Sequence, residues 1–238
     1  MRTSAIRLAI GGCCAGILTH VPCREGELVL DAADGTGHLG RAYAREGARA
    51  VVADLTPEMI AVGKREADAE GLRMLFVSAD AAELPFPAGS FDLVVSRFAV
   101  HHFQDPGRQI SEMVRVCRPE GRVGIMDLVA ADPQLATELD RLERLRDPSH
   151  ARALPVDELR GLLQEAGLKI TDETDHDQLV AVKRWLSQSQ TPDDVAEGIR
   201  RELHAELDGA SETGLRPRLH DGELHLTQRW VIFHGRKG

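Results

Sequence analysis

Residues 28–40 read Leu28-Val29-Leu30-Asp31-Ala32-Ala33-Asp34-Gly35-Thr36-Gly37-His38-Leu39-Gly40, an apolar run leading straight into a glycine turn and then a helical pattern. Leu28 to Leu30 predicts a buried parallel strand. Gly35 and Gly37 allow a sharp turn and let the backbone approach a ligand with no Cβ in the way. The helix that follows is expected to aim its free N–H groups at whatever is bound. A nucleotide-like cofactor is the first expectation. Gly35-x-Gly37-x-x-Gly40 satisfies the dinucleotide fingerprint taken alone. Asp31 and Asp34, however, stand just before the glycines, where a pyrophosphate needs neutral or positive surroundings. A cofactor carrying positive groups fits that charge better.

The succession acid, x, small, x, Gly, x, Gly resembles the first motif of the class I S-adenosylmethionine-dependent methyltransferases. The resemblance implies S-adenosyl-L-methionine as cofactor, with S-adenosyl-L-homocysteine as product. It sets Asp31 close to the methionine end, has Ala33 keep the turn tight, and puts Asp34, Gly35, Thr36 and Gly37 around the cofactor. Asp34 stands where the family usually has a neutral Cys or Thr. Its charge favours the sulfonium and ammonium but repels the carboxylate, and Coulomb effects of similar size oppose each other.

Outward from the turn, His38 to Glu46 reads as a helix stopped by Gly47, and Arg49 to Ala53 as a second strand ending at Asp54. An acid about 20 residues past the glycine turn is where a ribose diol is gripped, whichever adenosine cofactor is bound. Thr56-Pro57-Glu58 opens the next helix with a capping hydroxyl, a proline and an acid. Met74 to Ser78 is the third strand, followed by Asp80 and Ala81 at its carboxyl edge. In the resembled family an acid there receives the adenine amino group; the alternative is a solvated loop aspartate. The resemblance adds Leu55 and Ser96 to the cofactor set.

Leu84-Pro85-Phe86-Pro87 makes a rigid turn into a fourth strand, Phe91 to Ser96. The string from Leu84 through His102 resembles the ubiquinone- and menaquinone-biosynthesis-type methyltransferases (methyltransferase domain 11-like), in which the fourth strand ends in a substrate-facing segment. Arg97 at the strand exit is within reach of the cofactor's carboxylate or an acidic substrate, and Phe98 and Phe103, flanking His101 and His102, suggest a planar, partly apolar acceptor, against a surface arginine and plain core aromatics. A subset of the family carries Arg146-Asp147-Pro148-Ser149-His150, which adds Arg146. The candidate bases are His150, His101 and His102, in that order, each against a histidine that only bonds a backbone carbonyl.

Further along, Asp105-Pro106 caps a helix whose Ile110, Met113, Val114 and Cys117 share one face. Arg118-Pro119-Glu120-Gly121 turns into a fifth strand, Val123 to Leu128, with Glu120 in place of the first of two glycines usual in the family. Helices are expected over 134–146 and 155–166, a sixth strand from Leu168 and a seventh over Glu223 to His234. A helical insert over 183–208 is expected to pack over the substrate end. The expected fold is α/β: a Rossmann-like, doubly wound, seven-stranded, mostly parallel sheet with the last strand antiparallel and helices on both faces. It forms one domain, 1–238, with 1–26 as a short helical lid.

With 238 residues, 42% of them hydrophobic, and a formal net charge of −9, the chain can bury one core and offers no footprint for a polyanion. A small-molecule substrate is expected, with no nucleic-acid or membrane partner and a homodimer left open. No run approaches the roughly 20 apolar residues that span a bilayer. Arg2 and Arg7 precede a small-apolar run, Leu8 to Leu18, but Gly11, Gly12 and Gly16 interrupt it, which favours a helix over an export signal. Cys13, Cys14, Cys23 and Cys117 lack metal or disulfide spacing, so no metal site and a cytoplasmic location are expected. Taken together, the chain is expected to methylate a small, planar or aromatic metabolite by in-line transfer. The alternative is the same fold repurposed as a cyclase or isomerase, or as a non-methylating S-adenosylmethionine-binding subunit. A nicotinamide oxidoreductase fits poorly, given the acids before the glycines.

Overall fold

The computed structural model describes residues 12–238. Its centre is an eight-stranded sheet in the order β3-β2-β1-β4-β5-β8-β6, with β7 paired to β8. Strands β1 (Leu28–Ala32), β2 (Arg49–Asp54), β3 (Leu75–Ser78), β4 (Phe91–Arg97) and β5 (Cys117–Val129) run parallel. β8 (Glu223–Lys237) lies antiparallel between β5 and β6 (Leu168–Ala181). The eighth strand is β7 (Arg218–His220), a short hairpin arm that leaves β8 through Asp221 and Gly222. Its three residues are all exposed, so no apolar alternation marks them in the sequence.

The strands alternate as half-buried chains must. Leu30, Val94, Val123 and Phe233 point to one face, where α4 (Pro106–Val116) and α6 (Val156–Glu165) cover them with Ile110, Met113, Leu159 and Leu163. Val29, Leu93, Val95 and Ile232 point to the other, under α1 (Gly12–His20) and α2 (His38–Arg45), which contribute Ile17, Leu39 and Tyr43. Val21 sits where a Cβ on Gly124 would come within 2.6 Å, so this strand glycine lets the end of α1 lie flat on β5. The first eleven residues of the expected lid lie outside the described residues.

α3 (Pro57–Ala69) seats itself on the glycine turn through Gly63, where a Cβ would lie 2.3 Å from the Thr36 carbonyl oxygen. Thr56 occupies its N-cap without a side-chain capping bond; Asp54 Oδ1 instead accepts from Thr56 N at 2.9 Å. α5 (Ala136–Arg146), α7 (Val182–Gln188) and α8 (Asp193–Leu207) form a separate apolar cluster with the far ends of β5 and β8, centred on Leu142, Trp185, Ile199 and Leu226. β5 begins six residues before the expected Val123, because Cys117 already pairs with Phe91 and the chain bulges before rejoining β4 at Arg122. The residue at the bulge, Glu120, has φ 59°.

Candidate functional site

The strand order reverses direction between β1 and β4, the place where open α/β sheets bind ligands beyond their carboxyl ends. The glycine turn lies there. Ala33, Gly35 and Gly37 all have positive φ, at 59°, 59° and 71°. A Cβ on Gly37 would come within 2.7 Å of Val52, so this glycine meets a conformational and a packing demand together.

Two of the α2 amides that sequence alone assigns to a ligand are taken by the acids of the turn. Asp34 Oδ2 accepts from Leu39 N at 2.7 Å and Asp31 Oδ2 from Gly40 N at 2.6 Å. Negative charge at a helix N-terminus is stabilised by the unpaired N–H groups, so these carboxylates act as caps. The other oxygen of Asp34 accepts from Arg97 Nη2 at 2.8 Å, in an ion pair whose side chains are 3% and 13% exposed. The charge of Asp34 thus has a local partner in Arg97. Asp31 is fully buried; burial first, then the neighbouring Asp34 carboxylate, hold its carboxyl well above the usual range.

At the end of β2, Asp54 Oδ2 accepts from Gly35 N at 2.8 Å, joining the second strand to the turn. Leu55 beside it is 67% exposed, and the exposed Met59 reaches toward Gly35. Asp80 is exposed at the end of β3, bonded to Ala82 N at 2.8 Å, while Ala81 behind it is buried. Thr36 offers its carbonyl to Arg41 Nη1 at 2.8 Å. Ser96 is buried with no hydrogen-bond partner for its hydroxyl, and Asp31 Oδ1 receives no N–H or O–H.

A cavity of about 440 Å³ opens beyond β4. Arg97 and Phe98 line one side, with the Phe98 ring 4.7 Å from that of Trp230 and Arg97 stacked over Phe98 at 5.4 Å. Phe98 has φ 52°, a strained backbone of the kind found at ligand sites. On the opposite side Arg146 lies over Trp185 at 5.1 Å and is ion-paired to Glu143 at 3.0 Å. Phe103 does not line the cavity. In the 3-10 turn Val100–His102, residues three apart eclipse, so Phe103 follows Val100 onto the main core.

The three histidines gather but are held differently; the His101 ring is 4.2 Å from His102 and 5.6 Å from His150. His150 is buried, with Nε2 bonded to Asp140 Oδ1 at 2.7 Å, and it is absent from the cavity lining. His101 is bonded through Nδ1 to Asp127, whose other oxygen accepts from Ala99 N and Val100 N at 3.0 and 2.7 Å. Burial pulls the His101 pKa down, but Asp127's charge and hydrogen bond outweigh it and the net direction is up. His102 is half-buried and moves the other way, lowered by burial and then by His101. Its Nδ1 lies 3.1 Å from the Ser149 carbonyl, which assigns the proton to Nδ1 and leaves a lone pair on Nε2. Ser149 is in turn fixed by Asp147, which accepts from its hydroxyl at 2.6 Å.

Sequence reasoning missed Asp127, Trp185 and Trp230. A single acid inside the apolar run Val123 to Val129 was the available signal for the first, since charges are almost never buried without partners. The two tryptophans carry no motif.

Residues 30–125 match the family described as "Methyltransferase domain". The chain is 32% identical over 193 residues to the uncharacterized methyltransferase YcgJ of Bacillus subtilis (strain 168), covering 80% of this chain and 76% of that one. It belongs to the class I S-adenosylmethionine-dependent methyltransferases. The crystal structure of YcgJ superposes with a TM-score of 0.85 at 28% identity, over 95% of this methyltransferase and 98% of that chain. A demethylmenaquinone methyltransferase of Thermus thermophilus is 41% identical over 101 residues, 42% of this chain and 46% of its own.

The family's cofactor is S-adenosyl-L-methionine, and the turn fits it. A buried Ser96 hydroxyl and an Asp31 oxygen without donors are polar groups left for a ligand, and Leu55 and Met59 leave an apolar shelf next to Asp54. No helix among the described residues is long and apolar enough to cross a membrane.

Proposed function

We propose that this methyltransferase acts on a small, planar metabolite whose nucleophilic oxygen or acidic carbon sits beside His102. When bound, S-adenosylmethionine supplies an electrophilic methyl group on a sulfonium. Asp54 and Asp80 would hold its adenosine, and Asp31, Ser96 and the turn from Ala33 to Gly37 its methionine end, with Leu55 and Ala81 against the base. The chain's task is then to orient an acceptor and remove its proton, since much of the rate of an in-line displacement comes from positioning.

The observation that carries this reading is the Asp34–Arg97 ion pair: Arg97 lines the cavity while its guanidinium is bonded into the glycine turn. Cofactor turn and acceptor cavity therefore share a wall. Phe98 and Trp230, packed edge-to-face, give the cavity an aromatic corner suited to a planar ring. His102 Nε2 takes the acceptor's proton, a step worth roughly 10² to 10⁴ in rate. His101, held on Asp127, backs that ring, and Arg146 lines the acceptor's other side. His150 serves as a strut between Asp140 and the loop that orients His102, rather than as the base.

Calorimetric titration with S-adenosylmethionine and S-adenosylhomocysteine is the first test. Binding of both, weakened by Asp54→Ala and by Asp80→Ala, is the expected result. Failure to bind either at millimolar cofactor would sink the assignment. Once an acceptor is found, His102→Gln should abolish turnover while leaving S-adenosylhomocysteine affinity intact. A cyclase or isomerase on this fold would consume its substrate with no S-adenosylhomocysteine released.

A further inference from the structure

In a chain with 38 acidic and 29 basic residues, no carboxylate lines the acceptor cavity among the described residues. Arg97, Arg146 and Arg184 line it instead, together with three glutamines. The acids that balance two of these arginines stand behind them: Asp34 and Glu143 are 3% and 1% exposed at the side chain. Arg184 differs. It is an exposed residue on α7, among the described residues it has no ion pair, and its neighbour Trp185 forms part of the cavity wall. The cavity thus presents a positive rim over a floor whose charges are already matched, in a protein whose net charge is −9.

We propose that the acceptor is an anion, an aromatic carboxylate whose ring lies against Phe98 and Trp230 and whose carboxylate is bound by Arg184. This deepens the methyltransferase reading and rests on it. A neutral ring alone would leave Arg184 idle. A cationic acceptor would face three arginines with no carboxylate to meet it. A guanidinium binds carboxylates bidentately, so one residue fixes both the position and the plane of the acid. Gln178, Gln188 and Gln228 can donate or accept around the ring's remaining polar groups. A volume of about 440 Å³ lies within the ordinary range for small-molecule sites and accommodates a fused two-ring acid.

Both tryptophans of the chain, Trp185 and Trp230, line this cavity, so intrinsic fluorescence reads its occupancy directly. The probes are 1-hydroxy-2-naphthoate and its uncharged counterpart 1-naphthol, titrated in the presence of saturating S-adenosylhomocysteine. The acid should quench at concentrations at least tenfold below those naphthol requires, and the advantage should shrink as salt is raised. Arg184→Gln should remove that advantage without changing naphthol binding or S-adenosylhomocysteine affinity, and Arg184→Lys should restore part of it. Equal binding of the two probes, an advantage that survives Arg184→Gln, or no binding of either would overturn the proposal. Calorimetry with S-adenosylhomocysteine on the same samples separates this outcome from failure of the cofactor assignment, since that readout does not involve Arg184.

Discussion

Arg97 at the exit of β4 and Asp34 in the glycine turn form an ion pair of 2.8 Å between two largely buried side chains. Removing one member of such a pair leaves a desolvated charge, which costs about 3–5 kcal/mol. Asp34→Ala also removes the acceptor for Leu39 N. The expected loss is roughly 10 °C in Tm for a chain of this size. The double variant Asp34→Ala with Arg97→Met should recover more than half of it, because no orphaned cation remains; a thermal-melt double-mutant cycle measures this coupling.

The histidines predict a pH profile. Because His102 is depressed by burial and by His101, the acid limb of kcat/KM should lie below the ordinary 6.5, with full activity at neutral pH. His101→Gln removes the second cause and should move that limb toward 6.5. Stability follows the opposite sense for His101, whose folded pKa is raised. Its contribution is fully present below the unfolded value of 6.5 and is lost as pH rises through the folded value. The Tm difference between the parent chain and His101→Gln should therefore be widest in acid and shrink in base.

Glu120 stands with φ 59° and an exposed side chain. A side chain in the left-handed region costs about 1 kcal/mol relative to glycine. Glu120→Gly should raise Tm by roughly 2–4 °C, with no effect on ligand affinity, since this bulge lies at the opposite end of the sheet from the cofactor turn.

Two helical glycines should respond oppositely to alanine. At Gly63 the new Cβ would meet the Thr36 carbonyl at 2.3 Å and Phe76 at 2.8 Å. α3 must then lift off the turn, costing about 3 kcal/mol and weakening S-adenosylhomocysteine binding in calorimetry. At Gly161 on α6 nothing lies within 4 Å, and Gly161→Ala should stabilise by about 1 kcal/mol through helix propensity.

The parallel half of the sheet was legible because its signals are local. An apolar run, a glycine turn and an acid at the strand end recur within residues 28–80, and the periodicity of Ile110, Met113 and Val114 marks α4 without reference to anything distant. Asp54 ends β2 and Asp80 follows the end of β3, as the local pattern predicts. What escaped depends on which way individual side chains turn and which partners they take, and spacing alone does not encode that. The capping of Leu39 N and Gly40 N by Asp34 and Asp31 is invisible to a motif that assigns those amides to a ligand. His150 carries the family string, yet its ring is committed to Asp140, ten residues earlier on a different element. Phe103 was drawn to the acceptor by adjacency to the histidines, and only the 3-10 turn decides which way it points.

β6 and β8 are 14 and 15 residues long, and their pairing continues from Leu168–Lys237 to Ala181–His225, whereas β5 accompanies β8 only as far as Arg229. The outer half of this ribbon, with α7, carries Gln178, Arg184 and Trp185 on one contiguous piece of chain, while the turn and strand ends assigned to the cofactor all precede residue 97. On the function proposed above, one wall of the acceptor cavity thus lies on a segment apart from the glycine turn, while Arg97 belongs to both. Exchanging residues 178–188 between relatives should retune what is methylated while leaving the donor site as it is.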